Sequence, residues 1–258
     1  MSEKPVRLQK LLASWGLASR RTIEEWMQAG RIRVDGQCID EPGFSVIPET
    51  IRIEIDGEIV QAPDQRLPVV IALNKPFQVL TTMEDPFGRR TVADLLPTNP
   101  RVFPIGRLDY ETTGLLLATN NGELSNRLLH PRYKVEKEYL VGIVGEPLSG
   151  AEVKRFALGL SLDDGLTAPC RLLATGPKIY RVFLREGRKR QIRRMFAVLG
   201  RQVKSLHRVR FGPILLGALK PGSWRILGES ELGQLLTQTD LSADGIPVKV
   251  GEKRRKKP

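Results

Sequence analysis

Apolar residues recur every three or four positions in two stretches near the start of the chain, which predicts two amphipathic helices. Ser19 can cap the second helix and Gly30 can end it. The predicted buried faces are Leu8, Leu11, Leu12 and Trp15 in the first helix and Ile23, Trp26 and Met27 in the second. In residues 31–37 and 51–60, apolar and polar residues alternate next to an Asp-Gly turn, as they do in the strands of a hairpin. We therefore expect residues 1–60 to form one small helical and β module.

Strand and helix patterns are mixed between residues 69 and 240, without the regular alternation of a parallel α/β fold. Ser149 and Glu152 predict a capping box at the start of one helix. The predicted strands cover 69–73, 114–119, 138–145, 179–186 and 201–211, and the predicted helices cover 122–130, 149–160 and 188–200. These patterns predict an α+β fold in which residues 69–240 form a domain with a mixed, mainly antiparallel sheet. Residues 61–68 are expected to be a linker and residues 241–258 a basic tail.

The charge of the chain narrows the class of its partners. The 41 Lys and Arg residues against 29 Asp and Glu residues give a net charge of +12, which is typical of proteins that bind nucleic acid. An anionic membrane is the less favoured partner, because the basic clusters lie in segments whose apolar faces are needed for a core. No apolar run approaches the roughly 20 residues of a membrane span, and no secretion signal is recognisable. A cytoplasmic monomer is therefore expected.

Metal and disulfide chemistry find no support in the sequence. The cysteines, Cys38 and Cys170, are far apart and belong to no Cys-x-x-Cys pair. The histidines, His130 and His207, are also isolated. We therefore predict no metal site and no cofactor.

Two clusters of cations are candidates for RNA contact. In the first module the candidates are Arg7, Lys10, Arg20, Arg21 and Arg31. The second cluster is residues 185–194, which hold six cations beside a helical apolar face. Like charges crowded on one helix repel one another, so an anion such as phosphate is expected to offset them. The alternative for both clusters is a solvated surface without function.

Asp109 lies beside Arg107 in the stretch GRLDYETTGLLLATNNGEL, residues 106–124. A carboxylate among cations stays ionised and can act as a nucleophile or a base. The alternative is an ordinary turn or capping aspartate. The chain lacks a phosphate-binding loop, a dinucleotide-binding glycine triplet and a Gly-x-Ser-x-Gly elbow, which argues against ATP use, redox chemistry and serine hydrolysis. RNA binding remains, with or without carboxylate chemistry.

This stretch resembles the catalytic motif of the pseudouridine synthases, specifically the RsuA/RluB group that modifies bacterial ribosomal RNA. Other segments resemble that family's opening strand, its lysine-x-tyrosine segment, its arginine-bearing segment and its closing strands: LNKPFQVLTT, HPRYKVEKEYLV, EGRKRQIRRMFAVLG, and SLHRVRFGPILL with LKPGSWRIL. The first module resembles the alpha-L RNA-binding domain that also occurs in a small-subunit ribosomal protein. Together these resemblances cover the chain from Arg7 to about Leu236.

The resemblance implies roles for particular residues. Asp109 would be the catalytic carboxylate, Tyr139 the aromatic ring that stacks on the target uracil, and Arg188 the partner of the carboxylate. Arg107 and Tyr110 would hold the flipped nucleotide or fill its vacancy. Lys189, Arg190, Arg193 and Arg194 join them as RNA-binding candidates from the cation cluster. Asp109 could attack the ribose, act on it so that a glycal forms, or add to the uracil ring, and these alternatives stay open.

The segments GELSNRLLHPRYKVEKEYLV and GRKRQIRRMF favour the RluB-type enzymes of large-subunit RNA. The expected function is therefore the isomerisation of one uridine of large-subunit (23S) ribosomal RNA, on an assembly intermediate. One alternative is an enzyme of small-subunit (16S) RNA, and another is a non-catalytic ribosome assembly factor that binds ribosomal RNA. A glycosidase that acts on nucleic acid is a further rival, but no second acid accompanies Asp109 in its motif.

Overall fold

The computed structural model describes residues 4–48, 51–62 and 68–242 of the chain. Five residues of the predicted linker 61–68, namely 63–67, lie outside the described part. Most of the predicted basic tail also lies outside it, because description ends at residue 242.

The contacts of the chain divide it into two units, Met1–Leu67 and Pro68–Pro258. The first unit contains short strands and two helices. Its strands are β1 (Val6–Arg7), β2 (Ile32–Val34), β3 (Gln37–Cys38), β4 (Ser45–Val46), β5 (Ile53–Ile55) and β6 (Glu58–Val60), and its helices are α1 (Leu8–Ser14) and α2 (Arg20–Gln28). β2 pairs antiparallel with both β3 and β5, and β5 pairs with β6.

Local signals account for the first unit. The Ser19 side chain accepts a hydrogen bond of 3.1 Å from the backbone N–H of Thr22, so the predicted cap of α2 is confirmed. Both predicted Asp-Gly turns are also confirmed, since Asp35 and Asp56 have φ values of 50° and 53° and lead into positive-φ glycines. The predicted apolar stripes of the two helices meet in one core that contains Leu8, Leu12, Ile23, Met27, Ile32 and Ile53.

The second unit contains the longer elements. Its strands are β7 (Val70–Lys75), β8 (Phe103–Pro104), β9 (Thr113–Thr119), β10 (Lys137–Val144), β11 (Ser161–Leu162), β12 (Gly165–Leu166), β13 (Arg171–Gly176), β14 (Ile179–Leu184), β15 (Gln202–Phe211), β16 (Ile214–Leu215) and β17 (Trp224–Ile226). Its helices are α3 (Gly122–Leu129), α4 (Gly150–Leu158), α5 (Gln191–Val198) and α6 (Glu229–Gln238), with a short 3-10 helix at Pro131–Tyr133.

One large sheet organises this unit. Its strands follow the order β13-β14-β10-β15-β9-β7-β17, with β16 on β15 and β8 on β9. Within the described residues, β9 and β15 are parallel and the other pairs of this sheet are antiparallel. The predicted α+β fold with a mixed, mainly antiparallel sheet is therefore confirmed.

Different elements pack on the two faces of the sheet. On one face, α3 and α6 pack over β7 and β9 in a core that includes Val70, Ala72, Leu115, Leu124 and Leu235. The other face has two covers, because the loop segment that contains Val79 and Leu108 lies over β7 and β9, whereas α4 and α5 lie over β10 and β14. Tyr139 packs against both of these clusters. The place where the two covers meet is therefore the natural position for a cleft.

Gly114 permits the close approach of β9 to β15 at this place. Its φ is +100°, and a Cβ atom there would lie 2.7 Å from the backbone nitrogen of Arg208 and closer still to the Arg208 carbonyl oxygen. A residue with a side chain would therefore force the two strands apart.

The helix predictions for this unit hold at α3 and α4, whereas α5 and α6 differ from expectation. The capping box of Ser149 and Glu152 at the start of α4 is confirmed. The helix predicted over 188–200 begins only at Gln191, because Arg190 is left-handed with a φ of 51°. Helix α6 was not predicted, since Gly233 interrupts its sequence and its apolar stripe is short.

Candidate active site

The turn that carries Asp109 is held by backbone contacts on both sides. The Thr81 hydroxyl donates to the carbonyl of Leu108 at 2.7 Å and accepts from its N–H at 3.2 Å. The Asp109 carbonyl accepts a 3.0 Å hydrogen bond from the N–H of Thr112, which closes the turn just before β9. Leu108 is buried and Asp109 is half-buried, so the carboxylate lies at the edge of a fixed core.

Lys75 also binds the backbone of this turn. This residue was not predicted from the sequence. Its side chain is fully buried, and Nζ donates to the carbonyls of Pro76 and Thr112 at 2.9 Å each, with the Tyr110 carbonyl at 3.5 Å. Burial lowers the pKa of Lys75 to about 8, and the nearby Asp109 carboxylate acts in the opposite direction. The signal in the sequence was a lysine at the end of a strand that begins with four apolar residues.

Tyr139 lies beside the Asp109 turn. It is half-buried on β10 and packs against the cluster that contains Leu108, the residue before Asp109. Its cross-strand neighbour is Arg208 on β15, whose Nη1 is 3.5 Å from the Tyr139 hydroxyl. Tyr139 and Leu108 therefore share one apolar cluster, which places the ring on the side of the sheet that carries the Asp109 turn.

A row of cross-strand partners lies beneath this site. Lys75 pairs with Gly114, Gly114 with Arg208, and Arg208 with Tyr139. Directly opposed residues in a sheet project to the same side, so these four residues share one face, and we call them the cleft floor. Arg208 is only 3% exposed, and no described residue accepts a hydrogen bond from its Nη2. Sequence reasoning did not identify Arg208 either.

Arg188 does not lie where the resemblance implies. Its guanidinium donates to the carbonyls of Gly165 at 3.0 Å and Leu166 at 2.6 Å, and it forms ion pairs with Asp164 and Glu186. No ion pair joins it to Asp109 in the part of the chain that the structure describes. The structure therefore does not bring Arg188 and the Asp109 carboxylate together, because neighbouring carbonyls and acids already bind this guanidinium.

Arg193 binds the backbone of the Asp109 turn. Its Nη2 donates to the carbonyl of Glu111 at 3.3 Å, and its Nη1 donates to the carbonyl of Val203 at 3.2 Å. Its buried Nε has no hydrogen-bond acceptor among the described residues. In the sequence, Arg193 was only one of six neighbouring cations. Which of them faces the turn depends on the residue at which α5 begins, and the sequence did not predict that residue.

Most of the other predicted RNA-binding residues of this unit are exposed. Arg107, Tyr110 and Lys189 are on the surface. Arg190 is exposed and lies 3.5 Å from Glu111, whereas Arg194 is half-buried and pairs with Asp163 and Asp164. The expectation that phosphate must offset the crowded charges of residues 185–194 is corrected in part, since carboxylates of the protein already pair with Arg185, Arg188, Arg190, Arg193 and Arg194.

A groove of about 740 Å³ adjoins the turn, between the end of β7 and the start of β15. Its lining includes Phe77, Glu111, Arg190, Arg193 and Lys204. The groove has the size of a small-molecule or nucleotide site, and cations outnumber acids in its lining. It could hold part of a polyanion next to Asp109.

In the first unit, the candidate cations Arg7, Lys10, Arg20 and Arg21 are exposed and remain candidates for RNA contact. Arg31 differs, because its Nε and Nη2 donate to the Asp56 carboxylate at 2.9 and 2.5 Å and its Cζ lies 4.9 Å from the Trp26 ring centre. The charge of Arg31 is therefore partly neutralised by Asp56 within the module.

Two negative findings apply to residues 4–48, 51–62 and 68–242. No group of three or more His, Cys, Asp and Glu side chains there could hold a metal ion. No helix in the same ranges combines the length and the apolar character that crossing a bilayer requires.

Comparison with known protein families gives two matches. The family model for RNA pseudouridylate synthase matches residues 69–198, which include Asp109, Tyr139 and Arg193. The model for the S4 domain matches residues 6–50, within the first unit.

Similar proteins cover nearly the whole chain. An uncharacterized RNA pseudouridine synthase of Aquifex aeolicus is 42% identical over 92% of this chain and 96% of its own length. The ribosomal large subunit pseudouridine synthase B of Bacillus subtilis is 38% identical over 91% of this chain and 97% of its own. The protein of the same name from Escherichia coli is 38% identical over 100% of this chain and 90% of its own. A crystal structure of a pseudouridylate synthase superposes with a TM-score of 0.65 at 28% identity and covers 89% of this chain and 99% of its own.

Proposed function

This chain belongs to the RNA pseudouridylate synthase family, and we propose that its substrate is a specific uridine of large-subunit ribosomal RNA. The observation that carries this proposal is the near full-length similarity to two enzymes named for the large ribosomal subunit. The net charge of +12 is in keeping with a large polyanionic substrate. A ribosomal substrate would place the enzyme in the cytoplasm, where it would act as a monomer on an assembly intermediate.

The reaction is an isomerisation in which no atom of the nucleoside is lost overall. The bond between C1′ of the ribose and N1 of uracil breaks, the uracil rotates, and a bond from C1′ to C5 forms. The hydrogen on C5 leaves as a proton, and N1 takes up a proton. The stoichiometry therefore needs no external energy source.

The geometry supports a division of roles within the cleft. Asp109 is the reactive carboxylate, because it is the half-buried acid of the turn that Thr81, Lys75 and Arg193 hold. The other acid of this turn, Glu111, is exposed and pairs with Arg190 and Arg193. Tyr139 offers a half-buried ring beside this turn, on which a flipped uracil can stack. The three chemical routes open to Asp109 differ in the atom that the carboxylate acts on, and each needs the nucleotide to leave its helix first.

Arg193 replaces Arg188 as the arginine of the site. Its two hydrogen bonds join the carbonyl of Glu111, on the turn, to the carbonyl of Val203, on β15. We assign it a positioning role, in which it holds the turn in register with the sheet.

The two units would divide the work of recognition. Exposed Arg7, Lys10, Arg20 and Arg21 make the S4 module a second RNA-binding surface. Contacts of this kind go to phosphates, so they add affinity and salt dependence without reading the target base. The module would anchor the RNA while residues 69–240 carry out the isomerisation.

The substrate assignment is tested by tritium release from ribosomal RNA that contains uridine tritiated at carbon 5. Large-subunit and small-subunit RNAs are transcribed separately and incubated with the wild-type protein. We expect one equivalent of tritium to be released from the large-subunit RNA and none from the small-subunit RNA. Release from the small-subunit RNA alone would move the assignment to that alternative, and release from neither would contradict a ribosomal substrate.

A further inference from the structure

Phe87 is the most exposed large apolar residue in the described part of the chain, at 78%. Two other exposed aromatic residues of the second unit, Phe77 at 55% and Tyr110 at 41%, lie next to or within the Asp109 turn. Single exposed apolar side chains are common on protein surfaces and indicate nothing by themselves. Three features of its loop distinguish Phe87.

First, the turn that presents Phe87 is fixed by several contacts. The Asp85 carboxylate accepts hydrogen bonds from the backbone N–H, Nε and Nη2 of Arg89 at 2.9, 3.1 and 2.7 Å. Gly88 is left-handed with a φ of +67°, and its N–H donates to the Asp85 carbonyl at 3.2 Å. The hydrogen bonds from Arg89 hold the pKa of Asp85 at about 2. An ion-paired turn therefore holds the ring away from the core.

Second, a cation lies behind the exposed ring. The Arg89 guanidinium carbon is 5.2 Å from the centre of the Phe87 ring. An aromatic ring backed by an arginine is a surface on which a nucleobase can stack, with the guanidinium within reach of a phosphate. Stacking of this kind tolerates any base, because every base has a π face.

Third, the loop is joined to the catalytic turn. Its two ends pair at Leu80, whose N–H donates to the Arg90 carbonyl and whose carbonyl accepts from the Val92 N–H, both at 2.9 Å. The next residue, Thr81, makes the two hydrogen bonds to Leu108 that hold the Asp109 turn. The pKa of Arg89 is raised mainly by its hydrogen bond to Asp85.

We propose that Phe87 stacks on a nucleobase that neighbours the target uridine, as a wedge that keeps the RNA open while the uridine occupies the cleft. The inference rests on the proposed function, because it requires RNA in the cleft. It extends that function with a binding site that the Asp109 cleft does not include. Flipping a base leaves unstacked neighbours, and an exposed ring that caps one of them offsets part of the cost.

The first test is photo-crosslinking with p-benzoylphenylalanine in place of Phe87, using total ribosomal RNA as the probe. The control carries the same group in place of Leu158, which is 74% exposed at the end of α4. Crosslinks are mapped as reverse-transcription stops, and pseudouridines are mapped separately after carbodiimide treatment. We expect stops from position 87 within a few nucleotides of the pseudouridine and none there from position 158. Stops from position 87 that scatter as the control's do would overturn the proposal.

The second test measures RNA affinity. Phe87→Ala is expected to weaken binding of transcribed large-subunit ribosomal RNA by roughly 5- to 150-fold, which corresponds to the loss of one stacked base. Phe87→Trp should bind within about twofold of wild type, because tryptophan stacks at least as well. Leu158→Ala, matched in exposure, should bind as wild type does. Equal affinities for Phe87→Ala and Leu158→Ala would contradict a stacking role.

The two proposals fail in different ways. If the substrate assignment is wrong, wild-type protein releases no tritium from large-subunit ribosomal RNA, whatever Phe87 contacts. If only the wedge is wrong, tritium release proceeds from wild type, and Phe87→Ala shows the affinity of the Leu158→Ala control.

Discussion

The cleft floor and the cationic segment 185–194 both carry positive charge, but they use it in opposite ways. In the segment, Arg188 and Arg194 are paired with Asp164, at the protein surface. In the floor, Lys75 and Arg208 are buried, at 0% and 3% exposure, and their hydrogen bonds go to backbone carbonyls and to a phenol. Exposed pairs contribute little, whereas buried cations without a carboxylate partner are costly and polarise what lies beside them. Charge density in the sequence therefore marked arginines that carboxylates of the protein pair with, whereas burial distinguishes the two cations of the cleft floor.

The largest effect on the cleft floor is expected from Gly114→Ala. The added Cβ would meet the backbone of Arg208, and a positive φ of +100° would strain the new residue. We expect a loss of about 3 kcal/mol or more in the free energy of unfolding. Gly150→Ala is the control, because no atom lies within 4 Å of its added Cβ. A urea-unfolding experiment in which both variants match wild type would show that β9 and β15 do not approach so closely.

Lys75→Met is expected to change how stability depends on pH. Since burial lowers the pKa of Lys75 to about 8 from 10.5, the folded protein releases this proton at a lower pH than the unfolded chain does. The unfolded state therefore binds more protons between these values, and stability rises with pH. Relative to Lys75→Met, wild type should gain on the order of 3 kcal/mol between pH 8 and 10.5. Urea unfolding at several pH values measures this, and a constant difference between the two proteins would contradict it.

Arg193, which binds the Asp109 turn, and Arg188, which lies in the cationic segment, can be tested as a pair. Arg193→Met should lower kcat by about 100-fold with a small change in KM, because the turn loses its register with the sheet. Arg188→Met should lower kcat by less than about fivefold, because its partners are mostly on the surface. Arg193→Lys should recover part of the loss. A larger loss of kcat in Arg188→Met than in Arg193→Met would restore the role that the resemblance implies for Arg188.

The smallest effect is expected at Asp163, which is 81% exposed and pairs with Arg194. Asp163→Asn should change the free energy of unfolding by less than about 0.5 kcal/mol and leave tritium release unchanged. A large loss of activity would mean that the surface pairs of the cationic segment take part in the chemistry, and the contrast with the cleft floor would not hold.

The sequence predicted those features that neighbouring residues determine. The caps at Ser19 and Ser149 and the turns at Asp35 and Asp56 depend on a few consecutive residues, and all were predicted correctly. The motif around Asp109 was found because its resemblance to a family is local too.

The remaining features depend on contacts between distant segments. Lys75 is buried because β9 lies beside it, and Arg208 because β10 and β9 flank it. The choice between Arg188 and Arg193 depends on the left-handed Arg190, which delays the start of α5 and leaves Arg188 in the preceding loop. No local pattern of charge distinguishes these two arginines.

The central claim is that the Asp109 carboxylate performs the reaction. Asp109→Asn keeps the size of the side chain and removes its charge, and Asp163→Asn makes the same change at an exposed acid outside the cleft. Both variants are compared with wild type for tritium release from large-subunit ribosomal RNA labelled at carbon 5 of uridine. We predict background release from Asp109→Asn and the wild-type rate from Asp163→Asn. Release from Asp109→Asn at the wild-type rate would contradict the account.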